Sequence, residues 1–162
     1  MRVRPPLQAM KLRSEGLASP LGATYGKVRN NGTRAHQGWD LDAAEGTTCF
    51  AIADGTIIDV GTHPDFGNYV VLQFSKSGRV NMTDPDTLFA FYAHLGAARV
   101  WTGQDVHAGD VIGLTGTTGN AAGGPPHLHF EVRKVSTSSP GRGLTGRVDP
   151  GSVLGYRYYS SN

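Results

Sequence analysis

Two histidines separated by a single residue, His127 and His129, are the side chains of this sequence best suited to chemistry. They follow a glycine-rich stretch, residues 113–126, and begin an alternation of residue types that is typical of a β-strand. On a strand, side chains two residues apart point to the same face and lie about 7 Å apart along the chain. Both imidazoles are therefore expected to face one space, with Leu128 turned into packing. Such a pair needs further partners to form a site.

Two other parts of the sequence supply candidate partners. His36 and Asp40 lie four residues apart, and Gly38 between them permits a tight backbone path. His94 follows residues 87–93, whose apolar and aromatic side chains predict a strand, so it is expected at the end of that strand. Each signal is weak alone, because Asp40 could equally cap a turn and His36 could be a surface residue.

Together these residues meet the needs of a catalytic zinc ion. Zinc at a catalytic site takes three nitrogen or oxygen ligands from the protein and leaves a fourth position to water. His36, Asp40 and one histidine of the 127/129 pair satisfy that requirement. Two imidazoles are then left to move protons or to stabilise an oxyanion. The remaining histidines have no partner in the sequence and are expected at the surface: His63 and His107.

Covalent acyl transfer and phosphate binding are less well supported. A Gly-x-Ser-x-Gly motif is absent, and the single cysteine, Cys49, lies in an apolar run that predicts a small buried side chain. Residues 113–119 are rich in glycine but lack the Lys-Ser/Thr ending of a phosphate-binding loop, and no helical pattern follows them. We expect this loop to form a wall of a cleft.

Composition indicates a small β-rich domain. The 162 residues suffice for one domain with its own core, and 23 glycines with 17% charged residues favour tight turns and short strands. A net charge of +2 suits an anionic surface such as cell wall but is too small to indicate nucleic-acid binding. No segment approaches the roughly 18 apolar residues of a membrane span, and the N-terminus lacks the apolar core of a standard secretory signal.

The apolar runs predict a series of short antiparallel strands. Residues 48–53 and 56–60 are expected to form a hairpin around Asp54-Gly55, a strong two-residue turn signal. Further strands are expected at residues 68–74 and 127–132, the latter closing the core.

Four ordered motifs of this chain resemble those of the lysostaphin-like zinc endopeptidases of peptidoglycan. The similarity runs from about residue 32 to residue 133, over these motifs: His36-Gln-Gly-Trp-Asp40-Leu-Asp, residues 46–57, Tyr92-Ala-His94-Leu and His127-Leu-His129-Phe-Glu-Val. The resemblance implies a compact, mainly β domain of the duplicated hybrid motif type, with an antiparallel sheet and the metal at the floor of a groove walled by loops. Residues 75–86 and 116–126 would be such walls.

The resemblance also implies roles for individual residues. His36, Asp40 and His129 would hold one zinc ion, which a bound water completes. His94 and His127 would be the catalytic histidines, one assisting deprotonation of the water and one stabilising the transition state. The implied reaction is hydrolysis of a peptide bond in the stem peptides or cross-bridges of peptidoglycan, and spacing does not indicate which bond.

We expect a single structural domain that acts as a monomer. In it, an irregular N-terminal segment, residues 1–35, packs on a zinc endopeptidase domain, residues 36–162, whose core is residues 36–133. The expected place of action is the periplasm or cell wall. Without a standard signal peptide in this chain, the routes there are delivery by phage, export by another route, or a signal removed from the chain. A toxin injected into rival cells would have a cognate immunity protein as partner.

Two alternative functions use the same scaffold. A regulatory module that activates other wall hydrolases is expected to have lost metal ligands, and here none is missing. A histidine phosphoryl carrier, similar to the glucose-type IIA domains of sugar phosphotransferase systems, would not need the His36–Asp40 element. Both alternatives fit the sequence less well than an endopeptidase does.

Overall fold

A computed structural model describes residues 1–78, 84–137 and 141–156. These residues form a mainly β structure, as expected, and none of their helices has the length and hydropathy to cross a membrane. The strands are β1 (Gly26–Arg29), β2 (Arg34–His36), β3 (Trp39–Asp42), β4 (Thr48–Phe50), β5 (Gly55–His63), β6 (Gly67–Ser75), β7 (Thr87–Ala98), β8 (Asp105–Val106), β9 (Val111–Thr115), β10 (His127–Arg133) and β11 (Arg147–Val148). Two 3-10 turns, Pro20–Ala23 and Gly119–Ala121, and one short helix, α1 (Pro150–Leu154), complete the described elements.

The strands pair antiparallel throughout the described part of the chain. The main sheet has the order β11-β10-β7-β6-β5-β8; in addition β3 pairs with β10, and β9 pairs with both β4 and β7. A separate two-stranded sheet joins β1 to β2. The strand β10 is central, because β7 lies on one side of it and β3 and β11 lie on the other.

Strand alternation divides the central sheet into two different faces. On β10, Leu128, Phe130 and Val132 join the main hydrophobic core. Successive side chains of a strand point to opposite faces, so His127, His129 and Glu131 lie on the other one. There the sheet carries a smaller aromatic cluster: Tyr69, Val71, Phe89, Phe91 and Ala93. One face thus stabilises the fold and the other presents the ionisable groups.

The prediction of a hairpin around Asp54-Gly55 is wrong. Strand β4 pairs with β9, and β5 pairs with β6 and β8. The Asp54 carboxylate accepts a hydrogen bond of 2.8 Å from the backbone amide of Ala108, so it holds a neighbouring turn instead. Gly55 is required for packing, since a Cβ there would lie 2.0 Å from the carbonyl oxygen of Gln73. The glycine allows close strand approach rather than a reversal of the chain.

The N-terminal segment is more regular than expected. Residues 26–36 form the β1–β2 hairpin, and the chain before it lies along the edge of β3. There the backbone amide of Arg13 donates to the carbonyl of Asp40 at 2.9 Å, and that of Asp42 donates to the carbonyl of Lys11 at 2.7 Å. The segment therefore extends the sheet next to a residue of the candidate site.

The strand that carries His94 is longer than expected. Strand β7 continues past this residue to Ala98, so His94 is not at a strand end as predicted. The first part of β7 pairs with β6 and β10, and the part after Leu95 pairs with β9. His94 lies between the two parts, where the pairing with β6 shifts register.

Candidate metal and catalytic site

Three side chains from neighbouring strands converge at one point: His36 of β2, Asp40 of β3 and His129 of β10. The pairing of β3 with β10 places Asp40 directly opposite His129. The Asp40 Oδ1 atom lies 2.8 Å from His129 Nδ1 and 3.1 Å from His36 Nε2. One potential ligand atom from each residue lies within 4.8 Å of the other two, so this buried cluster could hold a metal ion.

Gly38 makes this convergence possible. A Cβ at this position would lie 2.1 Å from the carbonyl oxygen of Phe130 on β10. Real Cβ atoms do not approach an oxygen this closely, so only glycine fits at position 38. The sequence indicated a tight backbone path here, and the cause is the close approach of β10.

Two further histidines border the cluster, as the sequence predicted. The ring of His127 lies 5.0 Å from that of His94, between centroids, and the His94 and His129 rings are 6.0 Å apart. His127 Nε2 lies 3.8 Å from the carboxylate of Asp40. All five residues expected to form the site are therefore brought together, each of them buried.

His94 owes its position to an unusual backbone conformation. Its φ is +58°, a left-handed value that is uncommon for a residue other than glycine. Its backbone amide donates to the carbonyl of Phe66 at 2.7 Å, and its Nδ1 lies 2.8 Å from the carbonyl of Thr118. These two bonds support the bend and direct the ring toward His127.

The hydrogen bonds of the imidazoles define which nitrogen faces the cluster. The Nδ1 atoms of His36, His94 and His127 lie 2.8–2.9 Å from backbone carbonyl oxygens, those of Thr24, Thr118 and Pro125 respectively. A carbonyl oxygen only accepts, so each of these Nδ1 atoms carries a proton, and Nε2 is the nitrogen that faces the cluster. His129 is reversed: its Nε2 donates to Glu131 at 3.0 Å, and its Nδ1 faces Asp40.

The electrostatics of the cluster favour a carboxylate at Asp40 and an imidazolium at His129. Burial alone would raise the pKa of Asp40, but hydrogen bonds with His129 and His36 hold it well below its usual value. Burial would likewise lower the pKa of His129, but its bonds to Asp40 and Glu131 raise it to about 9. Burial, with the neighbouring His129 and His127, lowers the pKa of His94 to about 3. His127 and His36 also have a pKa lowered by burial.

Comparison with known proteins identifies the family. The sequence profile of Peptidase family M23 matches residues 34–141, which include the whole cluster. The chain belongs to this family of metallopeptidases. It is 37% identical over 97 residues to the peptidoglycan DD-endopeptidase ShyA of Vibrio cholerae, an alignment that covers 60% of this chain and 20% of that protein.

Solved structures show the same fold. The catalytic domain of the antimicrobial peptidase lysostaphin from Staphylococcus simulans matches 82% of this chain and 90% of its own length, at 30% identity and a TM-score of 0.63. A zinc-containing peptidase from Vibrio cholerae matches 80% of this chain and 37% of its own, at 30% identity and a TM-score of 0.56. The chain spans about a fifth of the length of the curated relative ShyA.

Behind the cluster lies a buried carboxylate, Glu131, which the sequence did not predict as part of the site. Glu131, which is fully buried, accepts from His129 and also from the Nε atoms of Arg133 and Arg147. Burial alone would raise the pKa of Glu131, but these neighbours lower it to about 2. The signal was present in the strand alternation, which puts Glu131 and Arg133 on the same face as His129.

Two arginines of the N-terminal segment also reach the cluster and were missed. Arg29 Nη2 donates to Asp40 Oδ2 at 2.8 Å, and Arg13 Nη1 lies 3.4 Å from the same oxygen. They occupy the carboxylate oxygen that faces away from His36 and His129. Asp40 is thereby oriented with Oδ1 toward the two imidazoles.

The walls of the site agree only in part with the prediction. Residues of the expected loop 116–126 line the pocket, among them Asn120, Gly124 and Pro125. The described residues of the other expected wall, 75–78 and 84–86, do not line it. They lie in the connection between β6 and β7. The pocket is instead lined by Phe66, in the turn between β5 and β6, whose ring stacks 5.9 Å from that of His129.

Proposed function

We propose that this chain hydrolyses peptide bonds in the stem peptides or cross-bridges of peptidoglycan, with one zinc ion held by His36, Asp40 and His129. The observation that carries the proposal is the convergence of those three side chains beside His94 and His127, within a chain of the M23 family. The resemblance to a peptidoglycan DD-endopeptidase and to lysostaphin supports the substrate class.

The chemistry of the donor set fits zinc. Two imidazole nitrogens and one carboxylate oxygen are the ligand types and number that zinc takes at catalytic sites, where water fills the remaining position. The Nδ1 of His36 is held by the carbonyl of Thr24, so its Nε2 is the nitrogen available for a metal; Glu131 holds the Nε2 proton of His129, so there Nδ1 is the available nitrogen. When bound, zinc would polarise the scissile carbonyl and lower the pKa of water.

The two remaining histidines can move protons. Burial keeps His94 and His127 neutral at pH 7, and the carbonyls of Thr118 and Pro125 hold their Nδ1 protons. Each Nε2 can therefore accept a proton from water and return one to the leaving amine. Once protonated, either imidazolium can also stabilise the negative charge that develops on the scissile carbonyl oxygen.

The proposal is tested by zinc content and by the products released from purified sacculi. We expect stoichiometric zinc and release of muropeptides with cleaved cross-links, lost on chelation and restored by added zinc. Protein that is folded, loaded with zinc and inert toward walls of several chemistries would refute the proposal. Mass spectrometry of the released fragments identifies the bond.

Single variants separate the two groups of residues. His36→Ala and His129→Ala are expected to lose both zinc and activity. His94→Ala and His127→Ala are expected to retain zinc and lose activity by roughly a hundredfold or more, the usual size of a general acid–base contribution. His107→Ala, which removes an exposed imidazole outside the site, is the matched control and should behave as wild type.

A further inference from the structure

The pocket around the metal cluster adjoins a second, larger cleft, and basic side chains line both. The pocket itself has a volume of about 180 Å³ and the adjoining cleft one of about 700 Å³. The cleft lies between residues 13–22 of the N-terminal segment and residues 27–34 of the β1–β2 hairpin. Arg13, Arg29 and Arg34 line both spaces, so the two adjoin at these side chains, and we refer to them together as the groove.

The groove is strongly cationic. The large cleft is lined by four basic residues and, among the described residues that form its walls, by no carboxylate: the four are Arg13, Lys27, Arg29 and Arg34. In the smaller pocket the only acidic lining residue of the described chain is Asp40, which is already buried against two histidines. The nearest acid along the N-terminal segment, Glu15, is exposed and contacts Arg13 only through its backbone carbonyl.

The four basic residues divide into two kinds. Arg13 and Arg29 are directed inward and pair with Asp40 Oδ2. Arg34 and Lys27 are exposed, and no ion pair joins either of them to a carboxylate of the described residues. Arg34 therefore stands at the junction of the two spaces with its guanidinium available to a ligand.

We propose that this groove is a subsite for a free carboxylate of the substrate, and that Arg34 is the residue that binds it. The inference rests on the proposed function and specifies that the site selects peptides whose stem carboxylate is free and therefore negatively charged. A planar guanidinium pairs with a carboxylate through two parallel hydrogen bonds, which an amide cannot reproduce because its nitrogen only donates. Stem peptides carry such carboxylates, and a wall in which they are amidated would offer a neutral group at the same place.

The test compares two cross-linked muropeptides that differ only in whether their stem carboxylates are free or amidated. For the zinc-loaded wild-type protein we expect kcat/KM to be roughly tenfold higher for the free carboxylate, the discrimination typical of one charge-assisted pair. In Arg34→Gln the ratio should fall to near one through loss of rate on the free carboxylate alone. Arg34→Lys should keep part of the preference, since it retains the charge but not the two parallel bonds.

Arg99→Gln is the matched control, because it removes an exposed arginine that lines neither space. It should keep the wild-type ratio. If the wild-type protein cleaves both muropeptides equally well, the carboxylate subsite is wrong while the endopeptidase proposal stands. The subsite is also wrong if Arg34→Gln slows both substrates by the same factor, because that result would show a structural role for Arg34.

A binding measurement keeps the two proposals separate. Calorimetric titration of zinc-loaded His94→Ala with each muropeptide reports selection without turnover. We expect roughly tenfold tighter binding of the free carboxylate, abolished when Arg34→Gln is added. Selective binding without cleavage by the wild-type protein would support the subsite and refute the peptidase, and equal binding of both muropeptides would overturn the subsite.

Discussion

At the scale of single residues, the candidate site depends on partners that orient its imidazoles. His36, His94 and His127 each give their Nδ1 proton to a backbone carbonyl, which the fold supplies without further charge. The nitrogen of His129 that faces away from Asp40 is instead held by a charged side chain, Glu131, which two arginines in turn neutralise. A carboxylate behind a metal-binding histidine fixes its tautomer and raises its basicity. Glu131 should therefore tune the affinity of the site for metal.

The substitution Glu131→Gln tests this role. We expect zinc affinity to fall by roughly 10–100-fold, because the amide can still accept a hydrogen bond but no longer supplies negative charge. Competition with a chromophoric chelator measures the affinity. The comparison requires that the circular dichroism spectrum of the metal-free variant match that of wild type.

Glu45→Gln provides the control for that substitution. Glu45 is exposed and accepts a hydrogen bond from Thr117, away from the cluster. Its change to glutamine should leave zinc affinity unaltered. A folded Glu131→Gln protein with wild-type affinity would show that Glu131 stabilises the fold without affecting the metal site.

The sequence predicted the five central residues and missed those that support them, for a physical reason. His36, Asp40, His94, His127 and His129 lie in local motifs whose residue types and spacing indicate chemistry. The partners of Asp40 and Glu131, by contrast, come from distant segments: Arg13, Arg29 and Arg147. An isolated arginine in an irregular or terminal segment carries no local signal, and only the folded chain shows which carboxylate it faces.

At the scale of elements, the pairing of β3 with β10 brings two metal-binding candidates into register. Asp40 lies opposite His129 because the two strands approach closely at Gly38. The pattern of apolar runs predicted β10 and its shared face but not its neighbours. The Asp54-Gly55 signal failed because turn propensity is local, whereas β4 gains its pairing with β9 from residues more than sixty positions along the chain.

Gly38→Ala should disrupt this register. The added methyl group would lie against the carbonyl of Phe130, so the strands must separate or shift. We expect the free energy of unfolding to fall by about 1–3 kcal/mol, the usual cost of overpacking. Urea denaturation of the metal-free protein measures the change.

Gly124→Ala is the corresponding control for a glycine in a loop. Its φ is not in the left-handed region, and a Cβ there would meet the carbonyl oxygen of Ala121 at 3.4 Å, an ordinary contact distance. Its stability should be close to wild type. Equal stability of the Gly38→Ala protein would contradict the close approach of β3 and β10.

The fully buried cysteine of strand β4, Cys49, should make the stability of the protein depend on pH. Burial raises the pKa of Cys49 to about 12, whereas a thiol in the unfolded chain has a pKa of about 8.5. The folded state therefore binds this proton more tightly, and the stability it contributes is present below about pH 8.5 and lost as the pH rises toward 12. Between pH 9 and 10 we expect a loss of about 1 kcal/mol from this group.

The free energy of unfolding is measured across that pH range for wild type and for Cys49→Ala. The difference between the two proteins gives the contribution of the thiol. The variant should lack this part of the pH dependence. An alkylating reagent should likewise fail to modify the native protein at pH 8 and should react after unfolding. Rapid modification of the native protein would show that Cys49 is accessible, which contradicts its burial in the core.

At the scale of the whole molecule, the N-terminal segment is part of the structure that forms the site. It extends the sheet alongside β3, it supplies Arg13 and Arg29 to Asp40, and it forms one side of the basic cleft. The sequence did not predict this role, because a segment that a few backbone hydrogen bonds hold at a sheet edge needs no regular alternation of apolar residues. Where the boundary lies between this segment and the rest of the domain stays a prediction.

Leu7 tests whether the segment and the core unfold together. Its side chain is 2% exposed within the main hydrophobic core, so Leu7→Ala should lower the free energy of unfolding by about 2–5 kcal/mol. Leu21, which belongs to the same segment but is 43% exposed, supplies the matched control. Leu21→Ala should change stability little, and both variants are measured by urea denaturation with two spectroscopic probes. If the segment packed loosely on an independent domain, Leu7→Ala and Leu21→Ala would have the same free energy of unfolding. That result would exclude a single cooperative unit of segment and sheet.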